Sequence, residues 1–221
     1  MRKAIFLLAG IFLFSSFQAN KPLKVIFFGD SITQAGVGEK GYITVMQQML
    51  KSKNQDKNYE LIGAGIGGNK IYDLYLRMEE DVLNKKPDVV VVWVGVNDVW
   101  HKRTSLTGTD PDKFVNFYSA LIKKLQAQNI KVILCTPAAI GERTDFSNEI
   151  DGDMNRYSQF VRELGAKFNC PIVDFRKAFH EYALKNNPQN KDRDILTSDG
   201  VHLNDKGNQF VADMLYKAVV K

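Results

Sequence analysis

A serine becomes a nucleophile when a base takes its proton, and a histidine serves as that base when an acid holds its ring. Three segments contain residues that could do this together: Gly29-Asp30-Ser31-Ile32-Thr33, Gly95-Val96-Asn97-Asp98 and Asp199-Gly200-Val201-His202-Leu203. Asp199 stands three residues before His202. In a tight loop or helical turn that spacing can bring the carboxylate to the imidazole Nδ1–H, leaving Nε2 to take the proton of Ser31. Asn97 follows an all-apolar run, where a polar side chain must find a partner or face a rim. Its NH₂ can donate to a developing oxyanion, alongside the backbone N–H of Ser31 and of a glycine. A fourth segment, Gly65-Ile66-Gly67-Gly68-Asn69, offers such glycines, with Gly67 and Gly68 adjacent.

Each of these residues also has an ordinary structural use. Ser31 can cap a helix, Asp199 can cap the last helix, and Asn97 can close an Asx-turn. Asp30 and Asp98 are expected to serve such structural roles. Trp100 and His101, just past Asn97, either line a substrate groove or are plain loop residues. Gly63-Ala64-Gly65-Ile66-Gly67-Gly68 matches the G-x-G-x-x-G spacing of dinucleotide folds, with a strand before it and a helix after. It lies on the second strand, and the next strand ends Trp93-Val94-Gly95 instead of in an acid, so nicotinamide binding is not expected. The glycines are better explained as letting a bare amide approach an oxyanion.

Apolar runs alternating with helical patterns must position these segments. Leu23–Phe28, Tyr59–Ile62, Asp88–Val94, Ile130–Cys135 and Pro171–Asp174 are expected strands, the third valine-rich enough to be buried on both faces. Expected helices cover residues 42–50, 71–83, 111–128 and 153–168, and Asn204 can cap a last one with an apolar stripe from Phe210 to Val219. Five β/α units with short connections imply one α/β domain with a parallel sheet covered on both faces. Gly29–Thr33, Gly65–Asn69 and Gly95–Asp98 follow the carboxyl ends of strands one to three, where ligands bind in open α/β sheets, and Asp199–Leu203 comes just before the last helix. Residues scattered along the chain are thereby expected to meet on one rim.

The 221 residues, 44% hydrophobic and 25% charged, exclude disordered and collagen-like classes. A net charge of +5 with no dense basic run gives no nucleic-acid footprint. Three histidines, His101, His180 and His202, do not make a histidine-rich metal centre, and two cysteines do not make a disulfide framework. Cys135 closes one strand and Cys170 opens the next, so in parallel neighbours they are too far apart to pair and are expected as free thiols. Met1–Ala19 has a basic start, an apolar run and a small-residue end, the form of a secretory signal peptide and too short for a good membrane span. No cysteine near its end argues for a lipid anchor. The expected division is a leader over 1–19 and one domain over 20–221, exported to the periplasm or beyond, with no stable membrane insertion once the leader is cut.

Taken together, the four segments resemble those of the SGNH hydrolases, also called GDSL esterases and lipases. Gly29–Thr33 is similar to the family's nucleophile block, Gly68-Asn69 to its glycine block, Gly95-x-Asn97-Asp98 to its asparagine block and Asp199-x-x-His202 to its last block. The resemblance runs in the family's order over nearly the whole domain. It implies a flavodoxin-like three-layer α/β/α sandwich with strand order 2-1-3-4-5. It further implies a Ser31–His202–Asp199 triad and an oxyanion hole from Ser31, Gly68 and Asn97, with no metal or organic cofactor. The implied activity is hydrolysis of short O-acyl esters, acetyl esters of carbohydrates first. A lysophospholipase or thioesterase of the same fold and a non-catalytic carbohydrate-binding protein are the alternatives. The substrate partner is a small or saccharide ester.

Overall fold

The computed structural model describes residues 21–220, so the leader over 1–19 lies outside the described residues. The chain runs β1 (Leu23–Gly29), α1 (Ser31–Ala35), α2 (Tyr42–Ser52), β2 (Tyr59–Gly65), α3 (Ile71–Asp81), β3 (Val89–Trp93) and α4 (Val96–Thr104). It continues with α5 (Pro111–Gln126), β4 (Lys131–Cys135), α6 (Asp151–Phe168), β5 (Ile172–Val173), α7 (Phe175–Asn186) and α8 (Asp205–Val219). The five strands form one parallel sheet of order 2-1-3-4-5.

That order fixes which helices share a face. Right-handed crossovers carry α2 to one side on the way from β1 to β2. The direction then reverses, so α3, α5 and α6 cover the other side. The packing agrees: α3 lies against α5 and α5 against α6, while α2 lies against α8. Every residue of β3 is buried, as its valines imply for a central strand. The reversal falls between β1 and β3, paired with Gly29 opposite Trp93, and Ser31 and Asn97 follow those two strands directly.

Several boundaries differ from the sequence reading. β2 continues through Gly63, Ala64 and Gly65, which pair with Phe27, Phe28 and Gly29. The glycines are there because α1 passes directly over this strand end: a Cβ on Gly65 would lie 2.0 Å from the Gln34 backbone nitrogen. Residues 96–104 are helical, so Asn97 sits in a first helical turn and closes no Asx-turn loop, and Trp100 and His101 are helix residues. α7 was not anticipated at all. Asn204 caps α8 as expected, its Oδ1 accepting the Gly207 amide at 2.9 Å. Cys135 and Cys170 are free and buried; Cys135 is level with Val173 in the sheet, three residues past Cys170. No helix of the described residues is long and apolar enough to cross a membrane.

Candidate active site

Ser31 is the first residue of α1, directly after Asp30 at the strand end. The buried Asp30 carboxylate caps the helix by accepting the Ile32 amide at 3.0 Å, so the cap belongs to Asp30 and the Ser31 hydroxyl is left for other work. Burial raises the Asp30 carboxyl to about 6, against the lowering effect of the Ile32 amide and of His202. As a first-turn residue Ser31 has an amide with no intrahelical acceptor.

From the far side of the rim comes the 195–203 segment. Ser31 Oγ lies 2.9 Å from His202 Nε2, and His202 Nδ1 lies 2.7 Å from Asp199 Oδ2. With Nδ1–H donating to the Asp199 carboxylate, Nε2 accepts from the serine hydroxyl. The other carboxylate oxygen, Asp199 Oδ1, accepts the backbone amides of Val201 at 2.9 Å and His202 at 2.7 Å, which locks the four-residue turn. Burial works to raise the Asp199 carboxyl, but the His202 ring and these two amides outweigh it and hold it below its usual value. The side chains of His202 and Asp199 remain 38% and 46% exposed, so the site is an open rim.

A brace that sequence reasoning missed sets this turn in place. The buried carboxylate of Glu142 accepts the amides of Ile195, Leu196 and Thr197 at 2.9, 2.7 and 3.1 Å. The adjacent Gly141 amide donates to Gly200 O at 2.9 Å. A glutamate in the loop after β4 gives no sign in the sequence of which amides it will meet.

The third corner is the loop after β2. Gly67 donates its amide to Gln34 Oε1 at 2.7 Å, which removes it as an oxyanion donor. Gly68 has a φ of +76°, a conformation side-chain-bearing residues rarely adopt, and its amide has no partner among the described residues. Of the two glycine amides, that of Gly68 is the one left unpaired among the described residues. Asn97, 4% exposed, donates Nδ2–H to Asn69 O at 3.1 Å, which orients its amide and leaves the second N–H free. Arg77 ties the corner together: Nε donates to Asn69 Oδ1 at 2.7 Å, and one terminal nitrogen donates to Gly29 O at 2.7 Å and Ala64 O at 3.0 Å. Trp100 and His101 lie one turn after Asn97, on its side of α4, and the His101 ring reaches to 3.9 Å from where a Cβ of Gly68 would be. Burial and the Lys70 ammonium hold the His101 ring below its ordinary value.

Asp98 is fully buried, with Oδ1 taking the Ile71 amide at 3.2 Å and Oδ2 without a hydrogen-bond partner among the described residues. Burial pushes its carboxyl up to about 7 despite the Thr109 side chain and the Ile71 amide. A folded value raised above the unfolded one of about 3.9 means that protonation favours the fold. The stability from this group is full below about pH 4 and is lost as pH rises through 7. Asp98→Asn keeps the Oδ1 acceptor and removes the charge, so it should raise Tm by several degrees at pH 8 and change it little at pH 4. Equal shifts at the two pH values in a calorimetric scan would contradict the assignment.

The arrangement can deliver an alkoxide to a carbonyl and receive the resulting oxyanion on the Ser31 and Gly68 amides and the Asn97 side chain. No group of three or more metal-ligating side chains is assembled among the described residues. Residues 27–210 match the model of the GDSL-like Lipase/Acylhydrolase family. The chain is 69% identical to an acetyl xylan esterase of known crystal structure, AlAXEase, covering 89% of this chain and 100% of that one with a TM-score of 0.89. An acetylxylan esterase of Geobacillus stearothermophilus is 30% identical over 174 residues, 72% of this chain and 78% of that protein. The uncharacterized lipoprotein YqeF of Bacillus subtilis is 25% identical over 199 residues, 82% of each chain.

Proposed function

The chain belongs to the GDSL-like lipase/acylhydrolase family and is an ester hydrolase; from that premise we propose an exported serine esterase that removes acetyl groups from a carbohydrate. Ser31 attacks the ester carbonyl while His202 takes its proton, held in orientation by Asp199. The Ser31 and Gly68 amides and the Asn97 amide bind the tetrahedral oxyanion. His202 then protonates the leaving alcohol, and water releases the acetyl group by the reverse sequence. Trp100 and His101 line the approach for the sugar. The observation that carries this reading is the unbroken chain Ser31 Oγ–His202 Nε2 at 2.9 Å and His202 Nδ1–Asp199 Oδ2 at 2.7 Å, beside two unpaired amides. A protein that only bound carbohydrate would not need an aligned base. Likeness to two acetylxylan esterases supports the acetyl and saccharide halves of the substrate. Export is supported by the form of residues 1–19 and by likeness to a lipoprotein.

Acyl length tests the substrate class. Six methylenes separate acetate from octanoate, and burying each contributes about 0.8 kcal/mol, so an enclosed acyl tunnel would raise kcat/KM severalfold per carbon. A site with His202 and Asp199 this exposed leaves the added chain in water. On soluble aryl esters below their micelle concentration, kcat/KM is expected to be flat or falling beyond about four carbons. Release of acetate from acetylated xylo-oligosaccharides should accompany it. Octanoate outperforming acetate by more than about tenfold would instead favour a lysophospholipase or thioesterase.

A further inference from the structure

Lys70 has no part in the chemistry above, yet its placement is costly. It lies directly before α3, where the positive pole of the helix disfavours a cation. Its residue is only 7% exposed, and burying an ammonium without a carboxylate is unfavourable. Nζ donates to Gly68 O at 3.2 Å and stands 5.6 Å from the centre of the Tyr72 ring, with no carboxylate in ion-pair contact among the described residues. The nearby Asp73 carboxylate is turned to the Lys70 backbone amide at 2.9 Å. Asp98, which feels the Lys70 charge, is itself raised to about 7 by burial and is largely neutral under mildly acidic conditions.

We infer that Lys70 is a positioning residue for the oxyanion hole, fixing the carbonyl of Gly68 and adding a positive charge without an ion-pair partner behind the amide that receives the oxyanion. Gly68 O and Gly68 N belong to one residue, so the ammonium stands within about 7 Å of that amide. A unit charge at roughly 8 Å from a developing anion, at an effective dielectric of about 20, changes the rate on the order of tenfold to thirtyfold. The charge acts when the oxyanion forms, so its effect belongs to kcat rather than KM. The inference rests on the proposed esterase reading of the site.

Lys70→Gln retains a donor for Gly68 O and removes the charge, whereas Lys70→Arg retains the charge. With an aryl acetate at pH 6, K70Q is expected to lose about tenfold or more in kcat with KM near the wild-type value, and K70R to recover most of the loss. A small arylboronic acid, which becomes an anionic tetrahedral adduct on Ser31, should bind K70Q more weakly by a matching factor. Should K70Q fail to fold by circular dichroism, K70M takes the same measurements. A folded neutral variant within twofold of wild type would overturn the inference. So would a K70R as impaired as K70Q, or boronate affinity unmoved while kcat falls. Ser31→Ala, run alongside, separates the two levels. A wild-type-like S31A would remove the esterase reading, whereas an inert S31A beside a fully active K70Q would remove only the role of Lys70.

Discussion

Replacing Ser31 with alanine should lower kcat on an aryl acetate by roughly 10⁵–10⁶-fold, the scale seen when a serine hydrolase loses its nucleophile. Oxyanion donors and substrate binding survive that change, which is why the residue of activity is small but finite. The fold should be untouched: Asp30, not Ser31, caps α1, and among the described residues the hydroxyl is hydrogen-bonded to His202 alone. A fluorophosphonate should accordingly label the wild type once, on Ser31, and leave S31A unlabelled. His202→Ala should cost a similar factor, and the double variant little more than either, because nucleophile and base act as one unit. Substantial turnover by a folded S31A would place the nucleophile elsewhere.

Asn97→Ala is the second large effect. Its Nδ2 spends one N–H on Asn69 O at 3.1 Å, which fixes the amide plane so that the other N–H is held ready. The oxyanion it would meet exists only after the serine has attacked, so kcat should fall by roughly 10²–10³ while KM changes little. Stability should fall by about 1 kcal/mol, the usual worth of one hydrogen bond, since Asn69 O loses its partner. A near-wild-type kcat in steady-state assays would show that Asn97 belongs to the packing and not to the hole.

The strands and the four site segments were legible in the sequence because each rests on local signals: apolar runs, glycines at strand ends, and an acid three residues from a histidine. What escaped was either locally ambiguous or purely long-range. α7 buries Phe175, Arg176, Phe179 and Ala183, and a buried arginine in that face disguises its apolar stripe. α4 buries its first turn, Val96–Val99, while its end is charged, so the segment reads as a loop. Had it been read as a helix, the i+3 and i+4 spacing would have put Trp100 and His101 on the side of Asn97. Gln34, Lys70, Arg77 and Glu142 could not be found this way. They are ordinary polar residues until the fold carries Arg77 to Gly29 or Glu142 to Leu196.

The Glu142 brace also bears on how such a protein could be recombined. Acid and base sit within four residues and look like a portable cassette, one that a hybrid might import from a relative by swapping the last helix and the turn before it. The carboxylate that seats that turn is encoded in the β4–α6 connection, ahead of any such junction. A chimera joined between α6 and α8 therefore keeps its host's seat for a foreign turn. The unit of exchange that preserves the reaction begins before Glu142, and takes in nearly two fifths of the chain rather than its final tenth.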